Sequence, residues 1–236
     1  MNEPKHVVGL SGGKDSTAMA LWLVENRPRD YEFICNETGD ELPEMLAHWE
    51  KLERVFGAPL KRIRADDDLI GLCEKQNALP NWRQRWCTRI LKIEPTIRYM
   101  ETLHPDSVLY VGLRADEEIR RGLFGEDLDV RFPLREQGWA VDDVWRYLDK
   151  VAITIPVRTD CGLCFYQRLD EWQTLYFHHP QHYARGVALE KRTGHTFRSP
   201  GRDTWPADLE SLAKEFDAGR PIRKTNRGTP CRVCSL

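Results

Sequence analysis

Residues 7–24, VVGLSGGKDSTAMALWLV, constrain the fold more than any other stretch of the chain. A short apolar run meets two glycines, and a second apolar run with helical spacing follows at once. That order reads as a strand, a glycine turn and a helix start, whose unpaired N–H groups and dipole converge on the turn as an anion site. Gly12 and Gly13 let the backbone approach an oxyanion, Ser11, Ser16 and Thr17 add hydroxyl donors, and Lys14 adds positive charge. Asp15 would repel a bare phosphate, so the loop calls for phosphate accompanied by Mg2+. The spacing is neither G-x-x-x-x-G-K-[ST] nor G-x-G-x-x-G.

The same alternation continues downstream. Residues 6–10, 31–35, 60–64, 107–113 and 130–134 read as short strands, separated or followed by helical patterns at about 15–26, 42–56, 88–103 and 141–149. Strands that alternate with helices need crossover connections, which implies an α/β fold with a doubly wound, Rossmann-like parallel sheet. We expect a nucleotide-binding domain over residues 1–158 and a mainly helical, cysteine-bearing cap over 159–236, with helical segments near 168–178, 180–193 and 206–217.

Several conspicuous residues read as structural. Trp145, Tyr147 and Leu148 stand at helical spacing and are expected in the core. Asp66 to Asp68 precede a helix start, Cys35 and Cys73 lie in apolar contexts, and the 193–206 loop with Arg198 and Arg202 is expected to pack on the cap. His178 and His182, four apart, are expected on one helix in a surface or capping role.

Composition narrows the function classes. A net charge of −2 over 236 residues carries no global electrostatic footprint for nucleic acid, although the tail RPIRKTNRGTPCRVCSL is basic and without acids. The first residues lack a basic flank before a long apolar run, and no window approaches the ~18 apolar residues of a membrane span. A cytoplasmic protein is expected, and in that reducing compartment seven cysteines point to metal or redox chemistry rather than disulfides. Cys87 and the C-x-x-C pairs Cys161/Cys164 and Cys231/Cys234 stand out, because four thiolates hold either Zn2+ or an iron–sulfur cluster; spacing alone favours neither.

SGGKDS after a strand resembles the PP-loop of the ATP pyrophosphatases, the adenine nucleotide alpha-hydrolase-like superfamily. The resemblance implies that the loop holds the β and γ phosphates of ATP while an oxygen attacks the α phosphorus. Further segments resemble the phosphoadenylylsulfate (PAPS) reductase-like branch: NETGDELPEM, with Glu37 where that branch has aspartate; RWCTRILKIEP; VGLRADEEIRR; and FPLREQGWAVDDVWRYL. By that likeness Thr38 and Gly39 lie beside the adenosine, Arg114 and Arg120 contact phosphate or substrate, and Lys14, Asp15 and Arg114 form the catalytic set.

Two departures shape the functional expectation. The sulfonucleotide reductases carry a degenerate loop and a C-terminal E-C-G-x-H segment; this chain has an intact loop and ends in CRVCSL. The likeness is therefore nearest in style to the ATP-pyrophosphatase component of DNA phosphorothioation, and implies ATP cleavage to AMP and pyrophosphate for sulfur transfer. Similarity to the assimilatory adenylylsulfate reductases implies a 4Fe-4S cluster on Cys87, Cys161 and Cys164, with Cys231 or Cys234 completing it, since Trp86 stands where those enzymes have a further cysteine. The implied partners are ATP with Mg2+, a nucleic-acid or small-molecule acceptor, and a sulfur-donor protein such as a cysteine desulfurase. The alternatives are a reductase that forms sulfite from adenylylsulfate or phosphoadenylylsulfate, and a non-catalytic nucleotide or nucleic-acid binding module with structural zinc.

Overall fold

The sheet is parallel throughout, and its strand order places a crevice at the end of its first strand. The computed structural model describes residues 3–117, 124 and 128–222. Arg120, Cys231, Cys234 and most of the basic tail lie outside the described residues. The strands are β1 (His6–Gly9), β2 (Tyr31–Glu37), β3 (Leu60–Arg64), β4 (Val108–Tyr110) and β5 (Asp129–Arg131), in spatial order β3-β2-β1-β4-β5. Every neighbouring pair is parallel, with Val8 opposite Phe33 on one side and Tyr110 on the other. The order reverses between β1 and β4, so the loops leaving these two strands diverge and open the crevice where ligands of doubly wound sheets bind.

The helices follow from the apolar spacing between strands. They are α1 (Lys14–Asn26), α2 (Pro43–Phe56), α3 (Leu69–Gln76), α4 (Trp86–Thr88), a π-helical turn (Arg89–Ile93), α5 (Glu94–Glu101), α6 (Pro133–Glu136), α7 (Val141–Lys150), α8 (Leu169–His178), α9 (Pro180–Thr193) and α10 (Leu209–Asp217). Side chains of a strand alternate between faces, and β1 divides them accordingly. Val8 joins Met19, Leu52 and Leu148 of α1, α2 and α7 in one core, whereas Val7 joins Ile34, Leu109 and Met100 in the core under α5. A third core unites Leu72 and Cys73 of α3 with Trp172, Leu175, Leu189, Leu212 and Phe216 of the three C-terminal helices. Among the described residues no helix is long and apolar enough to cross a membrane.

Five local expectations change. The strand expected over 130–134 ends at Arg131, because Pro133 fits the first turn of a helix and cannot donate to a ladder. The strand expected over 107–113 is confined to Val108–Tyr110. The helix expected over 88–103 starts at Trp86 and passes through the π turn. His178 and His182 are on different helices, since Pro180 starts α9 and His179 lies between the two. Trp145 is more than one-third exposed, while Leu148 is buried. Asp68 does cap α3, accepting from the Gly71 N–H at 2.7 Å, and Cys35 and Cys73 are buried. In the 193–206 loop Arg198 is buried and paired with Asp203 at 2.7 Å.

One buried carboxyl joins the C-terminal helices. Glu190 on α9 accepts from the Leu209 N–H at 2.6 Å and the Phe197 N–H at 2.9 Å, and burial raises its pKa to about 7. The folded state therefore holds an extra proton between the ordinary glutamate value and about 7, and the stability due to the protonated carboxyl declines as pH rises through that range. The stability difference between parent and Glu190→Ala should accordingly be larger at pH 5 than at pH 8 in denaturant titrations. A difference independent of pH would show that Glu190 titrates normally.

Candidate active site

The loop after β1 is shaped by α2. Gly12 has φ +86°, and a Cβ there would come within 2.2 Å of Met45 Cε, so only glycine fits. The Trp49 indole N–H donates to the Ser11 carbonyl at 2.8 Å, and His48 on the same helix is buried. Burial, with help from Lys51, lowers the His48 pKa to about 4, so the ring is neutral near pH 7. Gly13 is the N-cap residue of α1 and offers no side chain to cap it, so the first turn has no side-chain cap. Ser11 and Ser16 hydroxyls lie 3.0 Å apart across the mouth of the turn, and Thr17 is buried behind it.

Asp15 joins the two loops of the crevice. Its Oδ2 accepts from Lys14 Nζ at 2.7 Å and from Arg114 at 2.8 Å, while its buried Oδ1 has no hydrogen-bond partner among the described residues. Arg114, on the loop after β4, is 2% exposed and also pairs with Asp116 at 2.8 Å. Burial disfavours the Arg114 charge, but the nearby carboxylates of Asp15, Asp116 and Glu117 outweigh it and hold its pKa above the ordinary arginine value. Close packing makes this reach feasible: a Cβ on Gly112 would lie 2.9 Å from the Ser16 backbone nitrogen, so the β4 loop runs directly beneath the first turn of α1.

The cysteines gather beside this crevice. Cys87, Cys161 and Cys164 line one cavity with Thr38, Lys92, Leu163 and Tyr166. Burial pushes the Cys161 thiol up to about 12, against the opposing pull of Lys92. Three soft sulfur donors around one apolar space fit a thiolate-bound iron–sulfur cluster in chemistry and in number short of one. Among the described residues no three His, Cys, Asp or Glu side chains are arranged to hold a single metal ion.

The loop after β2 connects the crevice to this cavity. The Thr38 hydroxyl donates to Glu41 and lies 3.2 Å from Cys161 Sγ, and Glu41 forms an antiparallel bridge with Cys161. Asp40 anchors the C-x-x-C turn: its Oδ2 accepts from the Leu163 N–H and its carbonyl from the Gly162 N–H, both at 2.6 Å. Burial raises the Asp40 carboxyl to about 6. Gly39 has φ +80° and packs against Asp68, and Glu37 forms a two-point pair with Arg64 at 2.8 Å.

Of the residues singled out in the sequence, Ser11 to Thr17 and Arg114 meet at the crevice, whereas Cys87, Cys161 and Cys164 meet at the cavity. Thr38 borders the cavity, with Gly39 beside it in the same loop. Sequence reasoning missed Asp40, His48, Trp49 and Gly112, which position the loops. Asp40 lies inside the quoted NETGDELPEM segment, yet nothing local signals that its partners come from more than a hundred residues away.

Residues 5–157 match the model of the phosphoadenosine phosphosulfate reductase domain. An uncharacterized protein of Methanocaldococcus jannaschii is 32% identical over 116 residues, 49% of this chain but 24% of that protein, so the match spans about a quarter of the relative's length. Among solved structures, the U34-tRNA thiolase NcsA from Methanococcus maripaludis with its 4Fe-4S cluster aligns over 99% of this chain and 77% of that one, with TM-score 0.52 and 16% identity. The phosphoadenylyl-sulfate reductase of Candida auris, in a phosphate complex, aligns over 66% of this chain and 75% of that one, with TM-score 0.49 and 14% identity. The thiolase likeness is one of fold.

The Asp40 contacts can be tested without any bound metal. In metal-free, reduced protein, Asp40→Ala should release the C-x-x-C turn and speed alkylation of Cys161 and Cys164 about tenfold, with Cys35 still protected. Mass mapping after limited alkylation reads this; unchanged rates would mean that Asp40 does not hold the turn.

Proposed function

The chain belongs to the phosphoadenosine phosphosulfate reductase domain family, and from that premise we propose that it cleaves ATP to AMP and pyrophosphate to adenylylate an acceptor for sulfur transfer. The observation that carries this reading is the complete glycine loop, whose uncapped α1 N-terminus stands at the point where the strand order reverses. Open backbone N–H groups, the helix dipole and Lys14 together suit the β and γ phosphates, where negative charge grows as pyrophosphate leaves.

An acceptor oxygen would attack the α phosphorus, the bond to the β-phosphate oxygen would break, and pyrophosphate would depart with the electron pair. A sulfide-equivalent nucleophile from a donor would then displace AMP, leaving sulfur where the oxygen was. In this reading Lys14 neutralises the leaving group, Arg114 keeps Asp15 in place, and the unpartnered Asp15 Oδ1 is the oxygen on hand for Mg2+. Mg2+ supplies charge neutralisation on the polyphosphate. Cys87, Cys161 and Cys164, with Cys231 or Cys234 as the fourth, would hold a 4Fe-4S cluster, which supplies a soft, sulfur-binding centre beside the nucleotide.

Family membership itself favours a second reading, reduction of adenylylsulfate or phosphoadenylylsulfate to sulfite. It expects thioredoxin-dependent sulfite formation without ATP, and no pyrophosphate.

Lys14→Ala should lower pyrophosphate release from ATP on the order of a hundredfold, the scale of losing one preorganised charge-stabilising group. Release at the parent rate would sink the proposal. Protein purified without oxygen should be brown and contain iron, and Cys87→Ser, Cys161→Ser and Cys164→Ser should each lose most of that iron. Colourless parent protein holding zinc would exclude the cluster.

A further inference from the structure

Between Pro80 and Cys87, which both line the cysteine cavity, the chain carries aromatic and cationic side chains to which the proposed reaction gives no role. Pro80 lines the cavity, and the chain then turns through Asn81 to Gln84, held by the Asn81 side chain accepting from the Arg83 and Gln84 N–H groups at 3.0 Å. That turn presents Trp82, 57% exposed, with the Arg83 guanidinium 4.6 Å from its ring centroid. On the far side of the turn Arg85 stands over the ring of Tyr166, itself a wall of the cavity, at 5.8 Å. Neither Arg83 nor Arg85 has a carboxylate partner among the described residues, and the buried donors Arg85 Nε and Trp86 Nε1 have no acceptor there. Arg89 follows on the same segment, paired with Glu94 at 2.5 Å.

An exposed tryptophan costs solvation, and two guanidinium groups with no carboxylate partner among the described residues create a local positive field in a chain of net charge −2. Aromatic faces interleaved with unpaired arginines are the chemistry that binds unpaired nucleotides: bases stack on the rings while the cations follow the phosphodiester backbone. An acidic peptide would satisfy the arginines but give no use to the exposed indole. Duplex would satisfy the arginines as well, but its bases are already stacked.

We propose that the 82–89 turn and Tyr166 form a binding surface for single-stranded nucleic acid, which brings an unpaired nucleotide to the mouth of the cysteine cavity. The proposal rests on the sulfur-transfer reading above and names the acceptor class for it.

The test is anisotropy of labelled 12-nucleotide RNA and DNA strands and their duplexes on the full chain, without ATP and with chelator, over a range of salt. The parent should bind the single strands at least tenfold more tightly than the duplexes. Trp82→Ala should weaken single-strand binding about tenfold, in line with the loss of one stacked base, and leave the melting temperature unchanged because the side chain is exposed. Arg83→Ala and Arg85→Ala should each reduce the slope of log affinity against log salt by about one contact. Preference between the RNA and DNA arms then identifies the acceptor. Parent protein that binds no strand, equal binding of duplex and single strand, Trp82→Ala at parent affinity, or displacement of the oligonucleotide only by an acidic peptide would each overturn the proposal. Strand binding with no pyrophosphate release would instead overturn the ATP reading and leave this surface standing.

Discussion

The buried pair of Arg114 and Asp15 is the constraint on which the crevice depends. A guanidinium that is 2% exposed is tolerable only because carboxylates surround it, and removing one partner of such a pair typically costs about 3–5 kcal/mol. The pair spans the reversal point of the sheet, tying the loop that leaves β4 to the first turn of α1. Gly112 lets the two backbones meet, since any side chain there would strike the helix start. The crevice thus has its width set by one ion pair and one missing Cβ, independent of what later enters it.

A second constraint joins this crevice to the cysteines. Thr38, Asp40 and Glu41 belong to one short loop, and all three engage the C-x-x-C turn or the residues within it. A displacement of the turn must therefore move the end of β2, which is paired with β3 as far as Glu37 and, over Tyr31–Ile34, with β1. The two sites share a wall rather than a flexible connection, as a reaction that activates in one place and substitutes in the next would require.

The sequence made the sheet legible because buried parallel strands read as short apolar runs, and the glycine loop legible because its backbone needs are local. The fold class, the helix start at Asp68 and the burial of Cys35 and Cys73 all rest on such local signals. Where it misled, a single residue outweighed a pattern: Pro133 turned the end of an expected strand into a helix start, and Pro180 separated His178 from His182. The π turn between Cys87 and Pro95 left no mark on hydrophobic periodicity. The positioning residues were hidden for a different reason. Asp40, Trp49 and Gly112 act on partners distant in the chain, and a lone sequence records no such pairing.

The charges around the loop also decide what it can accept. Among the described residues, Lys14 and Arg114 face Asp15, Asp116 and Glu117, and the buried, neutral His48 adds no charge to either side. α2 ties back the Ser11 carbonyl through Trp49, and no side chain caps the first turn of α1, whose N–H groups are the loop's donors. Those donors and the helix dipole are worth roughly half a positive charge. In the proposed reading a polyphosphate would bring a divalent cation with it, and Asp15 Oδ1, which has no hydrogen-bond partner among the described residues, is the loop oxygen that cation would use.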